Sequence, residues 1–338
     1  MAKKKQEPSQ EKFKTMIGGQ ALIEGILMRG PSKQAVVVRA KGELQTKVED
    51  LKPAKKIAKI PLIRGVVNFL SSMTAGVKAL MYSANFFADE EDDTAEESKS
   101  KFDQWLEKKL GNEKFTQILI YFSVCLGILM SVGLFFVLPI LVGDGLEAWL
   151  GLSPLGKNLI EGLVRVILFL GYMILVSQMK DMKRVFAYHG AEHKTIRCYE
   201  ARLPLTVENV RKQTRLHPRC GTSFLFVVMI ISILLFTIAN SLLLKIDAVA
   251  ALRAENRIVF NVLMLLFKIF IMLPIVVSIT YELNRWIGRH DNWFTRILSR
   301  PGMWMQLFTT NEPDDGMMEV AIEALTQVIP EQEGSDRW

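Results

Sequence analysis

Two of the chain's four histidines stand four residues apart, in Tyr188-His189-Gly190-Ala191-Glu192-His193-Lys194. On a helix that spacing puts both imidazoles on one face, the commonest start of a transition-metal site. Glu192 completes the pattern H-x-x-E-H, which one class of zinc peptidases uses. A third histidine, in His217-Pro218-Arg219-Cys220, brings an imidazole and a thiol three residues apart. A closed set of His189, His193, His217 and Cys220 would be a structural zinc site that staples a loop. An open set of three, with water as the fourth ligand, would be catalytic, with Glu192 as general base. The further glutamate ligand of such peptidases has no clear counterpart; Glu200 and Glu282 are the candidates. Five-residue motifs also arise by chance, and the same histidines could serve a polar network that bonds backbone carbonyls, lipid phosphates or Glu192.

Other charged side chains stand out against apolar surroundings. Glu24 and Arg29 lie in a glycine-rich apolar stretch, residues 16–31, and read as an ion pair or as site residues. The glycines resemble a phosphate loop only loosely, because no Gly-Lys-Ser/Thr follows; turns and close backbone approach explain them more simply. Lys268 falls roughly 15 Å along an apolar run at helical rise, and an ionisable group at that depth is a functional candidate by default. Its expected partner is Glu161, or the i,i+4 pair Glu161/Arg165. A buried pair that docks two helices and a transport path are the alternatives. Lys194, Arg197, Arg211, Lys212, Arg215 and Arg219 could attract anionic lipid or a phosphorylated substrate, although topology alone accounts for them.

The elements that position these groups cross a membrane. Half of the 338 residues are hydrophobic, a high share for a soluble protein. Residues 115–142, 158–178, 224–244 and 258–283 form four apolar runs long enough to span a bilayer, the last kinked at Pro274. The connection between the second and third runs holds ten basic residues from Lys180 to Arg219. That bias puts this connection and both termini in the cytoplasm of a multi-pass cell-membrane protein. The histidines, Cys198, Cys220 and Glu282 then share one side of the membrane, in a reducing compartment. The net charge of +7 is distributed around apolar runs, so no nucleic-acid partner is expected; membrane lipids are, and a homo-oligomer stays open. The three separated cysteines make no disulfide framework, and no apolar segment follows the lysine-rich start as in a signal peptide.

In order, the sequence divides into a disordered basic tail (1–15), a small β-rich cytoplasmic region (16–60) and an interfacial or re-entrant helix (61–88). An acidic linker with a short helix (89–114) leads to the first two spans (115–178). The cytoplasmic loop with the candidate metal site (179–223), the last two spans (224–283) and cytoplasmic C-terminal helices (284–338) complete it. Residues 34–50 read as a hairpin around Lys41-Gly42. Asn311-Glu312-Pro313-Asp314-Asp315 reads as a helix start. Trp286, Trp293 and Trp304 suit an interfacial belt.

Residues 16–31, 189–200, 215–231 and 312–325 together resemble the YqhQ-like family of bacterial membrane proteins, described as predicted metal-dependent enzymes. The resemblance covers nearly the whole chain. It implies a metal site, a divalent ion such as zinc, on His189, Glu192, His193, His217 and Cys220. The expected fold is a mainly α membrane protein: a four-helix transmembrane bundle with a cytoplasmic α+β portion that includes a small N-terminal β-hairpin sheet.

Overall fold

The computed structural model describes residues 13–53, 58, 60–87, 112–290, 292–332 and 334–337. The expected acidic linker at 89–97, the short helix at 102–110 and the first twelve residues of the tail lie outside the described residues. The last three residues of the expected tail, 13–15, are described and make contacts. Phe13 packs edge-on against Tyr199 with ring centroids 5.3 Å apart, and Thr15 donates through Oγ1 to Asp336 at 2.6 Å.

Four strands, β1 (Gly18–Leu22), β2 (Gly25–Arg29), β3 (Lys33–Ala40) and β4 (Glu43–Asp50), form one antiparallel sheet in chain order. Lys41 and Gly42 both have positive φ, 50° and 84°, the two-residue turn that a tight hairpin needs. Alternation along β2 and β3 sends Ile26, Met28, Ala35 and Val37 to one face and Leu27, Val36 and Val38 to the other. Both faces are covered. Helix α1 (Ile63–Ala84) lies on the second with Ala79 and Tyr82. On the first lie α5 (Lys180–Glu200) and α12 (Asp315–Thr326). β4 is left as an exposed edge whose charges, among them Lys47 and Glu49 paired at 2.9 Å, discourage pairing with another chain. The helix expected after Pro313 is α12, capped by Asp314, which accepts from Met317 N at 2.8 Å.

Among the described residues, four helices are long and apolar enough to cross a membrane: Phe122–Leu150, Pro154–Gln178, Phe224–Leu243 and Arg257–Arg289. The first comprises α2 (Asn112–Val132), a π-turn at Gly133–Val137 and α3 (Leu138–Leu150). The second is α4 (Pro154–Gln178), with Ser153 as N-cap. After the short α6 (Val207–Arg211), the third lies in α7 (Gly221–Leu243). Helix α8 (Asp247–Glu255) leads to the fourth, built of α9 (Arg257–Phe267), a π-turn at Lys268–Met272 and α10 (Leu273–Arg289). The distortion expected at Pro274 thus falls one turn earlier, because proline removes a donor from the turn that precedes it. Helix α11 (Trp293–Thr309) then packs against α7 and α4. Leu129, Leu175 and Phe270 are about 70% exposed, so these helices present apolar side chains outward.

Where the helices touch, they bury ionisable groups. Lys268 Nζ lies 3.2 Å from Glu161 and Lys157 Nζ 3.7 Å from the same carboxylate. Lys157 also pairs with Asp144, which Arg257 reaches at 2.7 Å; Arg253 and Arg257 both pair with Glu147. The expected Lys268–Glu161 contact is present. The alternative Glu161/Arg165 pair is not: Arg165 Nε donates instead to the Phe135 carbonyl at 2.9 Å, inside the first π-turn. A π-turn shifts the ladder by one residue and frees carbonyls for such use.

Removing one member of the buried pair leaves the other without its partner. Lys268→Met should cost about 3 kcal/mol, and Lys268→Met with Glu161→Leu should recover most of it. Thermal unfolding of detergent-solubilised protein reads both; a single variant as stable as wild type contradicts the pairing.

Candidate functional site

Helix α5 carries the histidine pair and is unusual in being polar and buried at once. Of residues 186–198, only His189 and Arg197 retain partial exposure. Buried polar groups need partners, and the neighbours of α5 supply most of them. Gly190 lets the segment after α11 approach: a Cβ there would come within 2.0 Å of the Asn311 carbonyl. Asn311 N donates to Phe186 O at 2.8 Å, which fixes that segment along the helix.

His189 and His193 meet edge to face with ring centroids 4.3 Å apart, neighbours as the i,i+4 spacing predicts. His189 Nδ1 lies 2.8 Å from Thr309 O, and His193 Nδ1 lies 2.6 Å from Arg215 O. A carbonyl only accepts, so each Nδ1 carries its proton and donates. In the neutral ring each Nε2 then holds the lone pair, the arrangement common in metal-ligating histidines. His189 Nε2 is 3.1 Å from Cys220 Sγ, while His193 Nε2 is buried with no hydrogen-bond partner. One ligand atom each from His189, His193 and Cys220 lie within 4.8 Å of one another. Two imidazoles and a thiolate are a donor set that suits zinc, and an orphaned buried nitrogen aimed at that set fits an added ion.

Glu192 stands beside the cluster, 5% exposed. Its Oε1 accepts from Gly19 N of β1 at 3.0 Å, and its Oε2 is buried without a partner. Gly19 has no room for a side chain: a Cβ would lie 2.9 Å from the Glu192 carboxyl carbon and 2.8 Å from Leu27 O. The glycine-rich stretch therefore seats a carboxylate, a use of close backbone approach rather than of phosphate binding.

His217 is held in a second arrangement next to the first. Its backbone N donates to Gln306 Oε1 and its carbonyl accepts from Gln306 Nε2, both at 2.7 Å. The ring lies 5.6 Å from that of His193, centroid to centroid. Its Nε2 faces Glu200 Oε2 at 3.4 Å, and its Nδ1 accepts from Arg219 N at 3.4 Å. Glu200 also pairs with Arg219 and accepts from Thr15 N at 3.0 Å. The glutamate proposed as a further ligand is thus bonded to His217.

The other sequence candidates lie elsewhere. Glu24 does not pair with Arg29. It sits at φ 49° in the β1–β2 turn, pairs with Arg184 and accepts from Tyr188 Oη at 3.1 Å. The turn points it toward α5, and Arg29, at the far end of β2, donates to Ser71 at 3.3 Å. Glu282 pairs with Arg64 at the junction of α1 and α10, and Lys268 is in the buried ionic group already described. His290 is exposed and its Nδ1 lies 2.9 Å from Trp286 O. The basic residues of the loop hold protein groups: Lys194 pairs with Glu312 at 2.6 Å, Arg211 with Asp315 at 2.5 Å, and Arg197 Nε donates to Leu216 O at 2.6 Å. Thr309, Gln306, Gly19 and Gly190 were not singled out by sequence; only the glycine density of residues 16–31 gave a local signal.

The electrostatics follow from burial and from the sulfur. Burial works to lower the His189 pKa, but the Cys220 sulfur beside it and Glu192 nearby carry it up to about 9. Burial works to raise the Cys220 thiol, but the imidazoles of His193 and His189 hold it well below the usual range. Burial raises the Glu192 carboxyl, against the pull of those same imidazoles, and pushes His217 down to about 4. Burial also raises the Cys198 thiol. In chelator-treated protein, iodoacetamide should therefore alkylate Cys220 with a half-maximal rate well below pH 8.5, about the pKa of an ordinary thiol, and faster than Cys198. His189→Ala should move that midpoint upward. An ordinary thiol profile in the parent protein contradicts the pairing.

A model of the family described as "Protein of unknown function (DUF1385)" matches residues 60–331. "Uncharacterized protein YqhQ" of Bacillus subtilis (strain 168) is 31% identical over 331 residues, 95% of this chain and 94% of the relative. No solved structure matches the chain. With a relative matched nearly end to end and a family model that spans the α5 helix, both π-turns and α12, the chain belongs to the DUF1385 family.

Proposed function

We propose that this chain is a four-span protein of the cell membrane, with both termini, the sheet and α5 on the cytoplasmic side, that holds one divalent metal and acts as a hydrolase. His189 and His193 would ligate through Nε2 and Cys220 through Sγ. The observation that carries the reading is the orphaned Nε2 of His193, in a ring whose other nitrogen a backbone carbonyl already occupies. The ten lysines and arginines of the connection around α5, against Lys157, Lys245, Arg253 and Arg257 in the connections at the other end of the helices, support the orientation.

A divalent metal bound there would act as a Lewis acid and bring the pKa of a water toward neutrality. The residues do the rest. The carbonyls of Arg215 and Thr309 hold the two rings in one tautomer and one orientation. Glu192 keeps one oxygen on Gly19 N and leaves the other free to take a proton. A positive charge held at the three ligands would bring its raised pKa back toward the carboxylate range that a base requires. His189 and Cys220 are partly exposed, while His193 and Glu192 are buried. One edge of the cluster is thus open to a ligand.

His217 favours a second reading. Its ring, 5.6 Å from His193, could turn from Glu200 to become a fourth ligand, which would make a structural site in a non-enzymatic protein. Substitution separates the two. Elemental analysis of purified protein should find about one metal per chain, lost in His189→Ala with His193→Ala. In the hydrolase, His217→Ala and Glu192→Gln should both keep the metal, and Glu192→Gln should fail to complement a chromosomal deletion. Loss of the metal in His217→Ala supports the structural site. Wild-type complementation by Glu192→Gln removes the enzyme reading, and metal retained without His189 and His193 removes the ligand set.

A further inference from the structure

We infer that α1 and α11 are seated in the cytoplasmic leaflet, and that the ligand admitted at the His189–Cys220 edge is a phospholipid-like amphiphile that stays in that leaflet. The second part rests on the metal reading above; the first does not.

Helix α1 is pinned at the level where two membrane helices meet the cytoplasm. Arg64 pairs with Glu282, and Asn68 donates to Tyr281 Oη at 2.8 Å. Gly65 packs so closely that a Cβ would lie 2.9 Å from Ser278 Cα. Phe69 stacks near Phe224, the first residue of the third apolar helix, with centroids 6.2 Å apart. One face of α1 then covers the sheet. The other presents Leu70, Met73, Val77 and Leu80, each 42–56% exposed, at a spacing that makes one continuous stripe.

Helix α11 repeats the pattern. It packs on α7 and α4, buries Met305 and Gln306, and exposes Trp293, Trp304, Leu307 and Phe308 at 41–72%. The only charged residues are Arg64 and Lys78 in α1 and Arg296 and Arg300 in α11. An apolar face with basic flanks is the composition of helices that lie in an anionic headgroup layer. Both helices pack on the long apolar helices, α1 on α10 and α11 on α7 and α4. A bilayer therefore accounts for both, whereas a second copy docked on α1 would leave α11 bare.

The cluster opens at this layer. Thr309, the last residue of α11, holds His189, and Leu307 and Phe308 just before it face outward. Cys220 is the residue before α7 begins. The two partly exposed ligands thus border the point where α11 ends and α7 heads into the bilayer, so an amphiphile reaches them laterally, its tail in lipid.

Two measurements test this. In nanodiscs with a diazirine near the lipid headgroup, crosslinks read by mass spectrometry should fall on Leu70, Val77, Trp304 and Leu307. Their yield should be about tenfold above that at the exposed apolar Leu44 and Val48 of β4. Labelling no higher than at β4, or crosslinks between copies along α1, overturns the seating. Cobalt-loaded protein in detergent should then shift its visible bands with dihexanoylphosphatidylglycerol and not with glycerol phosphate at the same concentration. Protein that takes up no cobalt removes the metal reading and leaves the crosslinking result standing. Cobalt bands that neither compound moves, or that both move equally, overturn the amphiphile inference alone.

Discussion

A buried imidazole has two nitrogens to satisfy, and in this protein a backbone carbonyl takes one of them on each ring of the histidine pair. The carbonyls come from Thr309 and Arg215, on segments 120 and 22 residues away in sequence from the rings they hold. That constraint organises the lobe around it. Helix α5 can be buried only because α11 and the loop before α7 bring peptide groups to it. They can approach only because Gly190 leaves space for the Asn311 carbonyl. The sheet plays the same part from the other side, since Gly19 offers its N–H to Glu192. A deep polar site costs several kcal/mol for each group left unpaired. Two atoms, His193 Nε2 and Glu192 Oε2, stay unpaired side by side in sequence and in chemistry.

His217 shows how a second arrangement can sit against the first without sharing its bonds. Gln306 clamps its peptide on both sides, and Glu200 and Arg219 occupy its ring. Through Glu200 this arrangement reaches the two ends of the described chain. Thr15 bonds Glu200 with its backbone and Asp336 with its side chain, and Tyr199 also donates to Asp336 at 3.1 Å. The residues next to the histidine cluster are thus tied to both the first and the last described segments.

Local signals were legible where a few neighbouring residues decide the outcome. The i,i+4 histidines, the Lys41-Gly42 turn, the apolar lengths and the helix start before α12 are all of that kind. What escaped depends on partners distant in the chain. Glu24 finds Arg184, 160 residues on, rather than Arg29 five residues away. Glu282 finds Arg64, and Arg165 finds a carbonyl that only a π-turn exposes. Nothing near Arg165 in the sequence marks the Phe135 carbonyl, 30 residues away, as its acceptor. Gly19 and Gly190 were visible as glycines, but the groups that crowd them belong to other segments. Cys220 could be grouped with the histidines because the order of membrane crossings puts it on their side, an argument from topology rather than from spacing.

The ionic group among the four long apolar helices bears on the order in which they are completed. Helix α4 carries Lys157, Glu161 and Arg165 in its first half, and a charge at the centre of a helix that crosses a bilayer opposes insertion by about 3 kcal/mol. Its offsetting contacts come from Asp144 and the Phe135 carbonyl on the helix made before it, and from Lys268 on the one made last. Within α4 alone, Glu161 has only Lys157, one turn away at 3.7 Å. Glu161 meets Lys268, 107 residues further along the chain, only after the third apolar helix has been made.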